Sequence, residues 1–118
     1  MPAILFVCTA NICRSPMAEV LFADWLKRNH VPGEWQVSSA GTWAANGAPA
    51  SANAAAVMAE RGLDLSQHRS RTVNETLLAA ADLALCMTAS HAESLRAEFP
   101  RHAPRIKQMS EMMGMKFD

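Results

Sequence analysis

The segment that most constrains the fold is a continuous apolar run over residues 3–7 that leads directly into a cysteine and a short polar loop, VCTANICRSP at residues 7–16. An uninterrupted apolar run of this length is typical of a strand that is covered on both faces, as in a parallel sheet. Ser15 and Pro16 favour a helix start, with Ser15 as the N-cap and Pro16 as the first helical residue. The segment therefore predicts a strand, a turn and a helix, with Cys8 at the carboxyl end of the strand.

The rest of the chain alternates between residue patterns typical of strands and residue patterns typical of helices. Further strands are predicted over residues 35–38, 82–87 and 105–109, further helices over 51–61, 74–80 and 90–98, and a loop over 39–43. This alternation favours an α/β fold in three layers, with a central, mostly parallel four-stranded sheet. In such sheets, ligands bind beyond the carboxyl ends of the strands. We expect residues 1–118 to form one domain.

The charge balance and the cysteine count exclude several broad functions. Eleven basic and eleven acidic residues cancel, so no overall field favours nucleic acid or a membrane surface, and phosphate recognition must be local. No apolar stretch approaches a membrane span. Three cysteines and no secretory signal favour a cytoplasmic location with reduced thiols. No spacing of His, Cys and carboxylates is typical of a metal site, so we expect no metal or other cofactor.

The turn after the first strand combines three groups that suit phosphate chemistry. Backbone N–H groups at a helix start form an anion site, and Arg14 adds a planar fork that can hold two oxygens. Cys8 enters this site from below and is expected to ionise readily, with Ser15 donating to the thiolate. These parts predict attack of Cys8 on phosphorus through a phospho-cysteine intermediate. The alternative is a buried structural thiol with no chemistry.

Residues 8–16 closely resemble the phosphate-binding loop of the low-molecular-weight protein tyrosine phosphatases. The resemblance continues through Met17-Ala18-Glu19, SAGTW at residues 39–43, His68-Arg69-Ser70 and the strand at 81–88. It implies a cysteine phosphatase (a hydrolase) of this family. It also implies that the loop residues Thr9, Ala10, Asn11, Ile12, Cys13 and Ser15 bind phosphate, together with the catalytic residues Cys8 and Arg14.

Further positions take roles from the same resemblance. Asn11 is expected in a left-handed conformation, supported by Ser39 and His68. Ile12 and Trp43 are expected to line the substrate cleft, and because relatives that act on phosphoarginine carry Thr at the position of Ile12, its size favours an aromatic ester. The implied substrates are a phosphotyrosine protein or a small aryl phosphate. Inorganic phosphate, vanadate or arsenate are the implied ligands.

One departure from the family concerns the general acid, which is an aspartate in an Asp-Pro-aromatic segment followed by a last helix. The 118 residues contain no Asp-Pro dipeptide, so we expect the acid and the last helix to be absent, with Asp118 a weak candidate for the acid. General acid catalysis contributes about 10²- to 10⁴-fold, so activity is expected to be reduced. An apolar face of the sheet near Met109, Met112, Met113 and Met115 is expected to be bare.

Two other functions stay open at this stage. The same scaffold could reduce arsenate, although the second relay thiol expected after Cys86 is missing near Glu93. Without its acid, the domain could instead bind phosphotyrosine and release it slowly. Cys13 is either a redox partner of Cys8 or a loop filler, and Cys86 is expected in the core. His30, His91 and His102 are expected at the surface.

Overall fold

The computed structural model describes residues 2–109, whose strands form one parallel sheet. The strands are β1 (Ala3–Cys8), β2 (Gln36–Gly41), β3 (Leu83–Cys86) and β4 (Ile106–Gln108), in the order β2-β1-β3-β4. Every neighbouring pair is parallel, which confirms the predicted α/β sheet. Because β1 lies between β2 and β3, the chain first runs from β1 to the sheet edge at β2 and then crosses to the other side of β1, where β3 and β4 lie. The carboxyl end of β1, where Cys8 lies, is therefore the switch point at which such sheets bind ligands.

The helices begin and end close to their predicted bounds. They are α1 (Arg14–Arg28), α2 (Ala52–Glu60), α3 (Glu75–Ala80) and α4 (Ala89–Glu98), with a 3₁₀ turn at Pro100–Arg105. Side chains of Ser51, Asn74 and Thr88 cap the last three α-helices by accepting from a backbone N–H in the first turn. These local hydrogen bonds explain why the starts could be predicted from single residues. No helix within residues 2–109 is long and apolar enough to cross a membrane.

Side chains on the two faces of the sheet pack against different helices. Leu5 and Val7 of β1 belong to the main core, together with Leu78 of α3 and Leu95 of α4. Phe6, which points the other way in the strand, makes an edge-to-face contact with Phe22 of α1. This alternation gives the predicted three layers, and it explains why β1 is apolar at consecutive positions.

An apolar groove runs between α1 and the sheet. Its cavity of about 540 Å³ is lined by Arg14 and by apolar side chains that include Phe6, Met17, Phe22, Met87 and Met109. Met109 lines this groove, where the sequence predicts an apolar face of the sheet; that this face is bare stays a prediction. Met112, Met113 and Met115 lie outside the described residues.

Two histidines expected at the surface are buried instead. His91 and His102 each expose only 7% of their surface. The His102 ring lies 2.8 Å from a carboxylate oxygen of Glu75, and this hydrogen bond holds the pKa of the Glu75 carboxyl below its usual value. Each ring has one partner that is distant in sequence, Thr9 for His91 and Glu75 for His102, so the local pattern could not indicate burial. His30 is exposed, as expected.

Candidate active site

The Cys8 thiol lies at one end of a buried hydrogen-bond chain. Its sulfur is 2.9 Å from the Ser15 hydroxyl oxygen, and that oxygen accepts a hydrogen bond of 2.9 Å from Nδ2 of Asn11. Because the Asn11 amide nitrogen can only donate, the hydroxyl proton of Ser15 remains available for the sulfur. The expectation that Ser15 caps α1 is wrong: the helix begins at Arg14, with Cys13 at the N-cap position and no side-chain cap.

Asn11 connects this chain to the segments behind the loop. It is fully buried and left-handed, with a φ of 57°. Its Nδ2 also donates to the Ser39 hydroxyl at 2.9 Å, and its Oδ1 accepts from the backbone N–H of Arg71 at 3.0 Å. The His68 ring lies 2.6 Å from its carbonyl oxygen, while Ser39 donates to Glu19 at 2.6 Å. The structure thus places Asn11, Ser39 and His68 together, as the sequence suggested.

We expect Asn11→Ala to lower the free energy of unfolding by about 3 kcal/mol. The substitution leaves several buried polar groups without their partner, and alanine is disfavoured at a positive φ. Urea denaturation measures the change. Asn46→Ala is the matched control, since exposed Asn46 accepts a single backbone hydrogen bond, from Thr72. Equal losses for the two variants would contradict the connecting role of Asn11.

We call residues 8–14 the 8–14 loop. Its backbone carbonyls and its backbone N–H groups differ in their hydrogen bonding. The carbonyls of Cys8, Thr9 and Ile12 accept from the N–H groups of Thr42, Trp43 and Ser51, which lie outside the loop, at 2.7–3.0 Å. Within residues 2–109, the N–H groups of residues 10–13 donate to no other backbone group or side chain. Asn11 is buried, Ala10 and Ile12 are half-buried, and Cys13 is exposed. N–H groups without a partner beside the uncapped start of a helix are donors suited to an anion.

Gly41 allows β2 to lie directly behind this loop. The sequence predicted a loop at residues 39–43, but Ser39, Ala40 and Gly41 continue β2 in register with Phe6, Val7 and Cys8. A Cβ at Gly41 would overlap the carbonyl oxygen of Thr9 and come within 2.9 Å of the Ala44 Cβ. The glycine is therefore required by the close approach of two backbones.

We expect Gly41→Ala to impair folding and anion binding together, because either β2 or the 8–14 loop must move. The loss of stability should exceed about 2 kcal/mol, since backbone overlap cannot be relieved by a rotamer change. Thermal denaturation and vanadate titration measure the two effects. Gly62→Ala serves as the control, because its positive φ carries strain but open space surrounds it. Unchanged vanadate affinity in Gly41→Ala would contradict this expectation.

The rim of the loop carries exposed and half-buried side chains. Trp43 is 86% exposed. Its backbone N–H donates to the carbonyl of Thr9, which places residue 43 next to the loop. Ile12 is half-buried, whereas Cys13 and Arg14 are exposed. Asp118, the weak candidate for the general acid, lies outside the described residues. Cys86 is buried in the core as expected, and Cys8, Cys13 and Cys86 are all free thiols.

His91 is the site residue that sequence reasoning missed. Its Nε2 lies 2.7 Å from the Thr9 hydroxyl, and its Nδ1 lies 3.1 Å from the Thr88 hydroxyl. The available signal was Thr88, a typical N-cap residue that directly follows the predicted strand at 82–87; its cap places His91 in the first turn of α4 at the carboxyl end of β3. In a parallel sheet that end adjoins the end of β1. Within residues 2–109, no group of three His, Cys, Asp or Glu side chains could hold a metal ion.

A buried cysteine at the switch point of a parallel sheet, in a loop that ends at Arg14 and whose N–H groups at residues 10–13 have no partner among residues 2–109, is typical of cysteine-based phosphatases. Comparisons with known proteins agree with this class. The sequence profile described as "Low molecular weight phosphotyrosine protein phosphatase" matches residues 3–116. The chain therefore belongs to the low molecular weight phosphotyrosine protein phosphatase family, whose members are hydrolases.

Curated relatives with similar identity to this chain are named for different activities. A probable low molecular weight protein-tyrosine-phosphatase of Ralstonia solanacearum is 38% identical over 98% of this chain and 75% of its own length. A protein-arginine-phosphatase of Bacillus subtilis is 36% identical over 92% of this chain and 70% of its own. An arsenate reductase of Brevibacillus brevis is 38% identical over 87% of this chain and 70% of its own.

Solved structures share the whole described fold. The low molecular weight protein tyrosine phosphatase from T. tengcongensis has a TM-score of 0.92 and 41% identity, and covers 100% of this chain and 80% of its own. The Vibrio vulnificus protein Wzb, solved in complex with benzylphosphonate, has a TM-score of 0.86 and 32% identity, and covers 98% of this chain and 77% of its own. Both likenesses support the family assignment.

Proposed function

We propose that this chain hydrolyses aryl phosphomonoesters, including phosphotyrosine, through a phospho-cysteine on Cys8. The observation that carries the proposal is the buried Cys8 thiol beside Ser15, in a loop whose N–H groups at residues 10–13 find no partner in the described part of the chain. A phosphoryl group has three equatorial oxygens that need donors in the transition state. The unpaired N–H groups and the Arg14 guanidinium are donors of this kind.

The first chemical step transfers the phosphoryl group to sulfur. The Cys8 thiolate, which receives the Ser15 hydroxyl proton in a hydrogen bond, attacks phosphorus in line with the aryl oxygen. The S–P bond forms as the P–O bond breaks, and the departing aryl oxygen takes a proton from an acid or from water. Throughout this step, Arg14 and the loop N–H groups stabilise the equatorial oxygens.

The second step returns the thiolate. A water molecule attacks phosphorus opposite the sulfur, the S–P bond breaks, and inorganic phosphate leaves. Because the thiolate is again stabilised by Ser15, it is a better leaving group than an unsupported thiolate. A nucleophilic thiol must stay reduced, which suits the cytoplasm.

The proton donor decides how fast unactivated esters react. Within residues 2–109, no carboxylate is hydrogen bonded to the 8–14 loop, and Asp118 lies outside that part of the chain. We therefore propose that these 118 residues turn over p-nitrophenyl phosphate, whose leaving group needs little protonation. Phosphotyrosine peptides should react more slowly by about 10²- to 10⁴-fold, the usual contribution of a general acid.

Ile12 and exposed Trp43 support an aromatic ester over phosphoarginine. The isoleucine narrows the rim of the loop, and the indole offers a stacking surface for a ring. We expect Ile12→Thr to shift the ratio of kcat/KM for phosphoarginine over phosphotyrosine peptides upward by about tenfold, as one or two methyl groups in a pocket allow. Parallel assays on the two peptides measure it. Ile4→Val is a control for apolar truncation, because Ile4 lies in β1, and a ratio that changes equally there would contradict the role of Ile12.

Steady-state hydrolysis near pH 6 tests the proposed function. The substrates are p-nitrophenyl phosphate and a phosphotyrosine peptide, with quenched samples examined for a phosphorylated Cys8. Turnover with a transient phospho-cysteine supports the proposal, whereas a long-lived adduct without turnover would favour a binding module. Reduction of arsenate without ester hydrolysis would favour the reductase. That alternative is weakened by Cys86, which is fully buried and cannot relay a disulfide without moving.

A further inference from the structure

A buried histidine on α4 holds the residue that follows the nucleophile. His91 exposes 7% of its surface, yet its Nε2 reaches the Thr9 hydroxyl at 2.7 Å. Thr9 itself is exposed and adjoins Cys8. A short hydrogen bond between a buried ring and a rim hydroxyl fixes the rim side chain at little entropic cost, because the ring is already immobilised by packing.

The histidine is itself fixed by the end of β3. The backbone N–H of Met87 donates to the carbonyl of Val7 at 2.9 Å, which joins the ends of β3 and β1. Thr88 then caps α4, accepts from the backbone N–H of His91 at 3.3 Å, and contacts the ring Nδ1 at 3.1 Å. The ring orientation is therefore set by the same residue that starts the helix.

The contact matters because the other supports of the 8–14 loop come from different sides. Thr42 and Trp43 hold it from β2, Ser51 from the start of α2, and His68 from behind. Within residues 2–109, the bond to His91 is the side-chain hydrogen bond that holds the loop from the β3–α4 side. Without it, Thr9 is tied only through its carbonyl to Trp43.

We propose that His91 is a positioning residue for phosphoryl transfer, which acts by holding the Thr9 hydroxyl and thereby the start of the 8–14 loop. The inference rests on the proposed function and adds to it a residue outside the loop. In-line attack tolerates little displacement of the nucleophile, so a small shift of Thr9 and Cys8 penalises the transition state. Ground-state phosphate, bound by the same donors, is less sensitive to that shift.

The test compares two anions and two replacements. Orthovanadate adopts the five-coordinate geometry of the transition state, whereas inorganic phosphate does not. His91→Asn keeps an amide near Nδ1 but cannot reach Thr9, whereas His91→Gln extends an amide to about the position of Nε2. We expect His91→Asn to weaken vanadate binding and kcat by about tenfold, as loss of one hydrogen bond allows, with phosphate binding changed by less than about threefold. His91→Gln should restore most of the loss.

A double-mutant cycle with Thr9→Val shows whether the histidine acts through Thr9. If it does, His91→Asn should have little further effect in the Thr9→Val background. Independent, additive effects would overturn the inference. Equal weakening of vanadate binding and phosphate binding would also overturn it. A lower melting temperature with unchanged kcat and unchanged anion affinities would do the same.

Assays on the unsubstituted chain distinguish failure of the inference about His91 from failure of the proposed function. A parent with neither ester hydrolysis nor vanadate binding would overturn the proposed function, and this inference with it. A parent with both, but without coupling between positions 9 and 91, would overturn only the inference about His91.

Discussion

Cys8→Ser is expected to abolish hydrolysis of p-nitrophenyl phosphate, with kcat lowered by more than about 10⁴-fold, because the nucleophile of a covalent mechanism is lost. The serine hydroxyl is a much weaker nucleophile than a thiolate. It would also form an ordinary hydrogen bond with Ser15, in place of the sulfur contact at 2.9 Å. Steady-state assays near pH 6 measure the change, and vanadate titration shows whether the loop still binds an anion.

Cys13→Ser is the matched control for this experiment. Cys13 lies in the same loop, but its side chain is exposed, whereas that of Cys8 is buried. Cys13→Ser leaves the backbone N–H that would bind the anion in place, so kcat should stay within about threefold, as is usual for exposed side chains. Residual activity in Cys8→Ser that matches the parent would show that Cys8 is not the nucleophile. Loss of activity in both variants would point to a general sensitivity of the loop to substitution.

Arg14→Lys is expected to lower kcat/KM by about 10²- to 10³-fold, the range seen when one oxyanion donor is removed. Lysine keeps the positive charge but lacks the planar fork that can donate to two oxygens at once. Vanadate binding should weaken by a similar factor, since the fork serves the transition state. Kinetics on p-nitrophenyl phosphate and vanadate inhibition measure the two quantities.

Arg28→Lys controls for the loss of a guanidinium from the same helix. Arg28 lies at the other end of α1, where it contacts Asp24 at 2.6 Å on the surface, and a surface pair of this kind contributes little. Its replacement should leave kcat/KM unchanged. An Arg14→Lys variant as active as Arg28→Lys would remove Arg14 from the transition state.

The sheet and most helices could be predicted because their signals are local. The apolar run of β1 and the caps at Ser51 and Thr88 each depend on neighbouring residues, and the structure has them within one or two positions. The end of β2 could not be predicted in this way. Ser39, Ala40 and Gly41 are typical of a turn, and only pairing with β1 makes them a strand.

The residues of the candidate site also divide into those with a local sequence signal and those placed by contacts with distant segments. Cys8, the proposed nucleophile, and Arg14 could be selected from the spacing within one loop and from a family resemblance, whereas the supports of the loop come from segments far along the chain. Ser15 looked like a cap because a serine before proline often is one. In the structure its hydroxyl is engaged by Cys8 and Asn11. His91 reaches Thr9 across 82 positions, a distance that no local pattern encodes.

The ties around Asn11 also determine how the protein should lose activity under stress. The 8–14 loop is bonded to β2, to the start of α2, to α4 and to the segment around His68, so it has no independent opening motion of low cost. Its ordering is completed during folding, and an arriving anion does not have to provide it. Catalytic inactivation in urea should therefore coincide with loss of the whole fold, rather than precede it as in enzymes whose active sites unfold separately.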